Sequence, residues 1–198
     1  MTRPILVVSL PRSGSSMVAG ILAAHGIWAG TCREADEHNP RGYFEHAALN
    51  QLIAEEIGPL VNRGEIRAPP PGFIDRVHET IRADGYEGGP WLYKCSVVYW
   101  RLFEPLNPIW VTVRRGVRSV LASGRASERY RPNPGSVGRH LWALVYLEAE
   151  RGAHVIRAQD IVGGDYSALE PVLEAVGLRL DPAVVREFVD PKLWKHGP

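Results

Sequence analysis

ILVVSLPRSGSS, which spans residues 5–16, is the stretch of sequence that decides the fold. Its first part, Ile5 to Ser9, is an apolar run that ends in serine, as is typical of a strand buried on both faces of a parallel sheet. Ser15 to His25 predicts a helix, because apolar residues recur there at helical spacing and Gly26 follows as a stop. The stretch therefore predicts a buried strand, a short turn and a helix in direct succession.

The rest of the chain alternates strand patterns with helical patterns. Strands are predicted at 91–95, 109–113 and 154–157, and helices at 45–57, 74–83, 117–123, 136–151 and 169–176. Such alternation implies parallel pairing through right-handed crossovers. We predict an α/β fold, a single domain over residues 1–198, with a parallel β-sheet flanked by helices in a three-layer sandwich like that of the P-loop NTPases. The proline-rich segment 59–72 is predicted to be a linker or a flexible lid.

Length and charge exclude several classes of function. The 198 residues fit one domain, and a net charge of +1 gives no overall field that would attract nucleic acid or a membrane surface. No apolar run approaches the ~20 residues of a membrane span, and the amino-terminal run is too short for a signal peptide. The two cysteines, Cys32 and Cys95, provide neither metal spacing nor a disulfide framework. We expect a soluble cytoplasmic protein.

The turn after the first strand has the composition of a phosphate-binding loop. A helix that starts directly after a buried strand aims its first N–H groups and its positive end at one point. Gly14 allows the backbone to approach an anion closely, and Arg12 adds a positive charge. The hydroxyl groups of Ser15 and Ser16 can donate further hydrogen bonds. The alternative is a simple Gly/Ser turn between a strand and a helix.

The nucleoside-triphosphate P-loop, G-x-x-x-x-G-K-[ST], matches this turn only in part. Ser9 stands where that pattern has its first glycine, and Ser15 stands where it has its lysine. A triphosphate needs that lysine together with Mg²⁺, and no convincing metal-binding aspartate follows a neighbouring strand. Both gaps argue against a P-loop kinase of a small substrate, which is the alternative interpretation of this turn.

A second candidate anion site follows the predicted strand at 109–113. Arg115 lies at the carboxyl end of that strand, which is the side where open α/β sheets bind ligands. Ser123 lies about two turns into the next predicted helix, so that its hydroxyl can converge on the same anion if that helix leans across it. The alternative is a solvated arginine and a surface serine. Arginines are concentrated in this part of the chain, at positions 114, 115, 118, 125, 129 and 131.

Together the two motifs resemble the PAPS-dependent sulfotransferase family. Residues 11–16 resemble the loop that binds the 5′-phosphosulfate of 3′-phosphoadenosine 5′-phosphosulfate (PAPS), and Arg115 with Ser123 resembles the site for its 3′-phosphate. Where the family has Arg-Asn-Pro, this chain has Arg-Gly-Val at 115–117. Other stretches that resemble bacterial-type members are NPRGYFE at 39–45, WLYK at 91–94, Asp160-Ile161 and DPKLWKH at 190–196.

The resemblance implies transfer of a sulfuryl group from PAPS, without a metal, to a hydroxyl or amine of a small molecule, sugar or lipid. Adenosine 3′,5′-bisphosphate (PAP) would be the second product. Lys94 and Arg12 would stabilise the charge on the transferred group, and Glu45 would act as the base. The nucleotide would be bound by the residues of the two motifs and of the basic C-terminal segment, which are Arg12, Ser13, Gly14, Ser15, Ser16, Arg115, Ser123 and Lys195. A non-catalytic nucleotide-binding relative is the remaining alternative.

Some residues in this scheme have two interpretations. Many family members have a histidine two residues after the lysine, and this chain has Ser96 there. Glu45 is either a base or a carboxylate that stabilises a helix N-terminus. His46 and His38 are reserve candidates for the base. Tyr43 and Phe44 either border the acceptor pocket or pack in the core, and for Trp142 with Tyr146 we favour core packing over nucleotide stacking.

Overall fold

The computed structural model describes residues 2–63, 68–125 and 134–194. The strands in this part of the chain are β1 (Ile5–Ser9), β2 (Leu92–Ser96), β3 (Ile109–Arg114) and β4 (His154–Arg157). The helices are α1 (Ser15–Ala24), α2 (Ala47–Arg63), α3 (Phe73–Ala83), α4 (Trp100–Phe103), α5 (Val117–Arg125), α6 (Pro134–Glu150), α7 (Ala158–Val162), α8 (Glu170–Glu174) and α9 (Pro182–Phe188). Short 3₁₀ turns lie at Val97–Tyr99, Glu104–Leu106, Ser167–Leu169 and Pro191–Leu193.

The four strands of the described residues form one parallel sheet in the order β2-β1-β3-β4. After β1 the chain enters the sheet again on one side of β1, as β2, and then on the other side, as β3. This change of direction opens a crevice at the carboxyl ends of β1 and β3, where open α/β sheets bind their ligands. The predicted parallel α/β sheet is confirmed, and both candidate anion motifs follow strands that border the crevice.

Helices cover both faces of the sheet. Leu6 and Val8 of β1 face a core that is completed by α2, α3, α4 and α6. Ile5 and Val7 face the opposite core, to which α1, α7, α8 and α9 contribute. β1 is therefore buried on both faces, which explains its uninterrupted apolar sequence. The predicted flanking of the sheet by helices is confirmed.

Gly20 fixes the packing on the outer side of α1. Glycine inside a helix costs about 1 kcal/mol relative to alanine, so its presence there needs a reason. A Cβ at this position would lie 2.1 Å from Phe188 Cζ and 2.6 Å from Phe44 Cε2. The two phenylalanine rings pack edge to face at Gly20, where the helix has no side chain, and their centroids are 5.7 Å apart. Gly20 thus allows both the segment before Glu45 and helix α9 to pack against α1.

The connections differ from the sequence prediction at several boundaries. α2 begins at Ala47 and continues to Arg63, so the first part of the segment predicted to be a lid is helical. The predicted end at residue 57 is therefore six residues short, and the helix continues through Pro59. α6 begins at Pro134, two residues before the predicted start. Residues 64–67 and 126–133 of the predicted loops lie outside the described residues.

None of the described helices is both long and apolar enough to cross a membrane.

Candidate functional site

The loop between β1 and α1 combines backbone strain with an unsatisfied buried hydroxyl group. Arg12 has a φ of 68°, a left-handed conformation that costs a non-glycine residue about 1–2 kcal/mol. The Oγ of Ser13 is buried and has no hydrogen-bond partner in the part of the chain that the structure describes. α1 begins at Ser15, and the first N–H groups of a helix have no partner inside it. The loop therefore fits an anion, which would give the Ser13 hydroxyl and these amides a partner.

Gly14 is required by backbone conformation and by packing. Its φ is 89°, and a Cβ there would lie 2.8 Å from the Cβ of Ala158 and 3.1 Å from the Trp194 ring. The space that a side chain would fill is thus occupied by the start of α7 and by the C-terminal segment. The side of Gly14 that a Cβ would occupy is thus packed against protein, which leaves its amide available to the loop.

The second predicted motif is in direct contact with the first. Arg115 Nη1 donates a hydrogen bond to the backbone carbonyl oxygen of Arg12 at 3.2 Å. Arg12 Nε in turn donates to Ser123 Oγ, also at 3.2 Å. Burial and the neighbouring charge of Arg12 both lower the pKa of Arg115. Two cations held this close favour an anion between them, because it would offset their repulsion.

Trp194 extends the loop side of the site, and sequence reasoning did not single it out. Its ring lies under the guanidinium of Arg115, with Arg115 Cζ 4.1 Å from the ring centroid. Cation–π contacts of this kind contribute about 0.5–2 kcal/mol. Within the described residues, the basic C-terminal segment therefore contacts Arg115 through Trp194. Lys195, the predicted nucleotide ligand in that segment, lies outside the described residues.

The neighbouring arginine, Arg114, belongs to a separate network. Its Nε and Nη2 donate to the two carboxylate oxygens of Glu148, each at 2.7 Å, and Thr112 Oγ1 also donates to Glu148 at 2.7 Å. In this bidentate pairing both oxygens of the carboxylate accept hydrogen bonds from the guanidinium group. Of the arginine-rich stretch, only Arg115 is shown to contact the β1–α1 loop within the described residues, and positions 129 and 131 lie outside them.

Lys94 is buried, and its ammonium group is held in place at the start of α1. Only 6% of the residue is exposed, although a lysine at a strand end is ordinarily solvated. Its Nζ donates to Glu45 Oε1 at 2.7 Å, to the Tyr43 carbonyl oxygen at 2.9 Å and to Ser16 Oγ at 3.1 Å. Burial lowers the pKa of Lys94, and the Glu45 carboxylate works against that shift. The structure thus places a desolvated cation against Ser16, in the first turn of α1.

Glu45 lies before helix α2 and contacts Lys94. The helix begins at Ala47, so Glu45 is not in its first turn, and His46 caps it instead by accepting the Leu49 N–H at Nδ1. The interpretation of Glu45 as a helix-stabilising carboxylate is therefore wrong for this structure. Phe44, the residue before it, has a left-handed φ of 54° and packs on Phe188, which fixes where the carboxylate lies.

The two reserve histidines lie in different environments. His46 is buried, and its Nε2 lies 3.3 Å from Asp84 Oδ2, an ion-pair distance without hydrogen-bond alignment. Burial lowers the pKa of His46, and Asp84 opposes that shift. The contacts of His46 on both ring nitrogens give it a structural role. His38 is half exposed, and its Nε2 lies 3.6 Å from Glu37 Oε1.

A histidine that the sequence argument did not consider lies at the end of β2. His140 Nε2 is 3.1 Å from Ser96 Oγ, and His140 Nδ1 is 2.7 Å from the backbone carbonyl oxygen of Ser136. His140 is buried, and burial lowers its pKa. The two partners are 44 positions apart in the sequence, so no local spacing could have revealed the pair.

The aromatic pair on α6 is divided between core and surface. Tyr146 packs on buried Trp100 as we expected, with ring centroids 5.0 Å apart, whereas Trp142 does not pack in the core. Trp142 is 58% exposed and stacks on Tyr146, with ring centroids 5.4 Å apart. Val145, which the amphipathic pattern placed on the apolar side, is also 55% exposed. The buried stripe of α6 is formed by Val137, Ala143, Leu144 and Leu147, of which Leu144 and Leu147 lie on the side that the pattern predicts to be apolar.

Neither cysteine offers a nucleophile. Burial raises the pKa of Cys32 to about 11, and burial also raises the pKa of Cys95. Both thiols are free and stay protonated at neutral pH. Within residues 2–63, 68–125 and 134–194, no group of three or more His, Cys, Asp or Glu side chains is placed to hold a metal ion.

Comparison with known proteins gives a structural likeness. The whole chain superimposes on 81% of the sulfotransferase domain from the Synechococcus PCC 7002 olefin synthase, with a TM-score of 0.52 and 15% sequence identity. No protein-family model matches the chain, and no curated protein sequence matches it significantly. The likeness shows that the two proteins share a fold.

Proposed function

We propose that this protein is a sulfotransferase that moves a sulfuryl group from PAPS to a hydroxyl or amine of a small molecule, sugar or lipid. The observation that carries the proposal is the contact between the two anion motifs, in which Arg115 donates to the carbonyl oxygen of Arg12. A nucleotide with phosphate groups at both its 5′ and its 3′ positions needs two anion sites side by side. The shared fold with a sulfotransferase domain supports the same choice.

In this proposal the loop holds the 5′-phosphosulfate. Ser13, with its buried hydroxyl, and the amides of Gly14, Ser15 and Ser16 would surround the oxygens. Arg115 and Ser123, supported by Trp194, would hold the 3′-phosphate. Lys195 follows Trp194 directly in the sequence and would add a second cation on that side.

Transfer of the sulfuryl group resembles phosphoryl transfer in that positioning and charge stabilisation do most of the work. A sulfuryl group carries less charge than a phosphoryl group, which is why we propose that no metal is needed. Lys94, which is buried against Ser16, would neutralise the charge that develops on the transferred and leaving oxygens. Arg12 would share that role.

Glu45 has two possible roles beside Lys94. Its Oε1 accepts the Lys94 ammonium, which fixes the lysine in the site. Its carboxylate is also the base that the family resemblance favours for the acceptor proton. Glu45→Gln separates the roles, because glutamine keeps a hydrogen-bond acceptor for Lys94 and loses the ability to take a proton at neutral pH.

Two assays on the purified chain test the proposal. Isothermal titration calorimetry should give PAP binding that is tighter than ATP–Mg²⁺ binding, and ³⁵S-labelled PAPS should label an acceptor from a panel of phenols, sugars, amines and lipids. Arg179→Ala is the matched control for Arg12→Ala and Arg115→Ala. Arg179 is exposed and close in sequence to Asp181, which contacts His25 at the far end of α1.

Three outcomes distinguish the candidate functions. Tight ATP–Mg²⁺ binding without PAP binding would overturn the proposal in favour of a kinase. PAP binding without transfer to any acceptor or to water would favour a binding protein without catalytic activity. PAP binding that both site arginine variants lose and Arg179→Ala keeps, together with labelled product, supports the sulfotransferase.

A further inference from the structure

Ser96 and His140 form a hydrogen-bonded pair at the carboxyl end of the sheet. Ser96 is the last residue of β2, and its partner in the sheet register is Ser9, the last residue of β1 before the loop. Lys94 lies two positions earlier on the same strand. The pair is therefore beside the proposed sulfuryl site, and the catalytic scheme above does not use it.

The hydrogen bonds of His140 define which nitrogen carries its proton. A backbone carbonyl oxygen can only accept, so the contact of 2.7 Å to Ser136 requires a proton on Nδ1. In a neutral ring Nε2 is then an acceptor, and the hydroxyl group of Ser96 is the donor at 3.1 Å. This is the arrangement of an activated hydroxyl: a serine bound to an imidazole that a third group orients.

The surroundings of the pair suit proton transfer from a bound substrate. His140 is 8% exposed, whereas Ser96 is half-buried, so that part of Ser96 is accessible. Lys94 and Ser96 lie on one face of β2, while α6 packs on the opposite face. His140 can reach Ser96 only around the end of the strand, which is where the β1–α1 loop begins.

We propose that Ser96 and His140 form the proton relay for the acceptor, a role that rests on the proposed sulfotransferase function. As the acceptor oxygen or nitrogen bonds to sulfur, the bond between sulfur and the phosphate oxygen of the nucleotide breaks, and PAP leaves. The acceptor proton passes to Ser96 Oγ, and the hydroxyl proton of Ser96 passes to His140 Nε2. The Ser136 carbonyl oxygen then stabilises the imidazolium through Nδ1–H, and the proton is released to solvent after the products leave.

Glu45 then serves chiefly to hold Lys94. Its Oε1 is engaged by the ammonium at 2.7 Å, whereas Ser96 contacts no charged group in the bonds that the structure describes. The relay leaves this ion pair intact during transfer, while a role for Glu45 as the base would disturb it when Glu45 takes a proton. The two mechanisms thus predict opposite results for the glutamine variants of Glu45 and His140.

Several titratable groups surround His140 and enter the pH dependence. Arg139 precedes it on α6 and adds to the effect of burial in lowering its pKa. Lys94 and Glu45 lie on the side of β2, and Tyr99 is on the 3₁₀ turn that packs against α6. Because burial raises the pKa of Tyr99, it stays neutral through the acidic range. If the relay operates, the change in turnover rate between pH 5 and pH 7 comes from protonation of His140.

The experiment compares His140→Gln, Ser96→Ala and Glu45→Gln with the wild type, and uses His154→Gln as the matched control. His154 is another partly buried histidine with a pKa lowered by burial, but it lies at the amino end of β4. Turnover of ³⁵S-labelled PAPS, either to sulfate with water as acceptor or to the acceptor panel, is measured from pH 5 to pH 9. PAP affinity serves as the check that each variant is folded.

The relay predicts that His140→Gln and Ser96→Ala each lower turnover about 100-fold. Both should keep PAP affinity within about threefold, since neither residue is proposed to bind the nucleotide. The acidic limb of the rate profile should disappear in His140→Gln and persist in Glu45→Gln and His154→Gln. Nitrogen NMR of the wild type should show His140 protonated at Nδ1, with a pKa that changes in Ser96→Ala.

Other results overturn the relay in distinguishable ways. Turnover and an acidic limb that survive in His140→Gln would overturn the relay alone, as would an Nε2-protonated ring. Loss of the acidic limb in Glu45→Gln but not in His140→Gln would assign the base to Glu45. A wild type that neither binds PAP nor turns over PAPS would overturn the proposed function and the relay together.

Discussion

Two polar clusters lie at the same end of the sheet, and they differ in how well their groups are satisfied. Around Arg114, both oxygens of Glu148 accept hydrogen bonds and opposite charges are paired. Around the β1–α1 loop, Arg12 has a strained backbone, Ser13 buries a hydroxyl without a partner in the described residues, and Arg115 lies beside a second cation.

The difference separates a structural cluster from a functional one. Buried polar groups in proteins are almost always paired, and strained or unsatisfied groups concentrate where a ligand completes the site. The Arg114 cluster needs nothing further, whereas the loop cluster gains hydrogen bonds and charge balance from an anion. Substitutions in each cluster test whether the two are separate in function.

The largest expected effect follows removal of the buried charge at the loop. Lys94→Met keeps most of the side-chain volume but loses the cation, so PAPS turnover should fall about 100- to 1000-fold. PAP affinity should change by less than about tenfold, because the lysine acts mainly on charge that develops during transfer. Steady-state kinetics together with calorimetry measure both. Equal turnover in Lys94→Met and the wild type would remove Lys94 from the chemistry.

A change in the paired cluster should affect stability and leave nucleotide binding intact. Glu148→Gln breaks hydrogen bonds to charged Arg114, so the free energy of unfolding in urea at pH 7 should fall by about 1–3 kcal/mol. PAP affinity should stay within about twofold of the wild type, since the cluster is not proposed to touch the nucleotide. A variant that loses PAP binding at unchanged stability would contradict the separation.

The same carboxylate predicts how stability depends on pH. Burial favours the neutral form of Glu148, but hydrogen bonds from Arg114 and Thr112 outweigh it and lower its pKa below the ordinary value of 4.5. The contribution to stability is therefore present above pH 4.5 and is lost as the pH falls through the lower folded-state pKa. The stability difference between the wild type and Glu148→Gln should shrink between pH 5 and pH 3. A difference that stays constant over this range would contradict the assignment.

The smallest expected effect isolates the backbone strain at the loop. Arg12→Gly and Arg12→Ala remove the same side-chain contacts, but only glycine adopts a φ of 68° without penalty. The glycine variant should be more stable than the alanine variant by about 1 kcal/mol, measured by urea unfolding. Both variants should lose PAP affinity to a similar extent. Equal stability of the two would show that the loop relaxes and that the strain is absent in solution.

Much of the fold was predictable because its signals are local. The uninterrupted run of β1, the turn at Gly14 and the helical spacing of α1 predicted three consecutive elements with boundaries within one residue. Helix α9 was missed, although Asp181 before Pro182 is a start signal and its side chain accepts the Ala183 N–H. Its seven residues are too few for a periodic pattern to stand out.

The site was only partly predictable because several of its contacts join distant segments. The sequence identified Arg12, Lys94 and Arg115 as candidates, and the structure brings the two arginine motifs into contact and buries the lysine against the same loop. The pair of Ser96 and His140 and the ring of Trp194 come from helix packing and a chain end, for which local spacing carries no signal. The exposure of Trp142 shows the same limit, because its neighbours on α6 predicted burial.

The most direct test of the central claim compares two nucleotides on two proteins. Calorimetry would measure PAP and AMP, which lacks the 3′-phosphate, on the wild type and on Arg115→Ala. If one nucleotide spans the loop and Arg115, the wild type should bind PAP about 10- to 100-fold more tightly than AMP, and this preference should vanish in the variant. A preference for PAP that survives in Arg115→Ala, or a wild type that binds PAP and AMP equally, would contradict it.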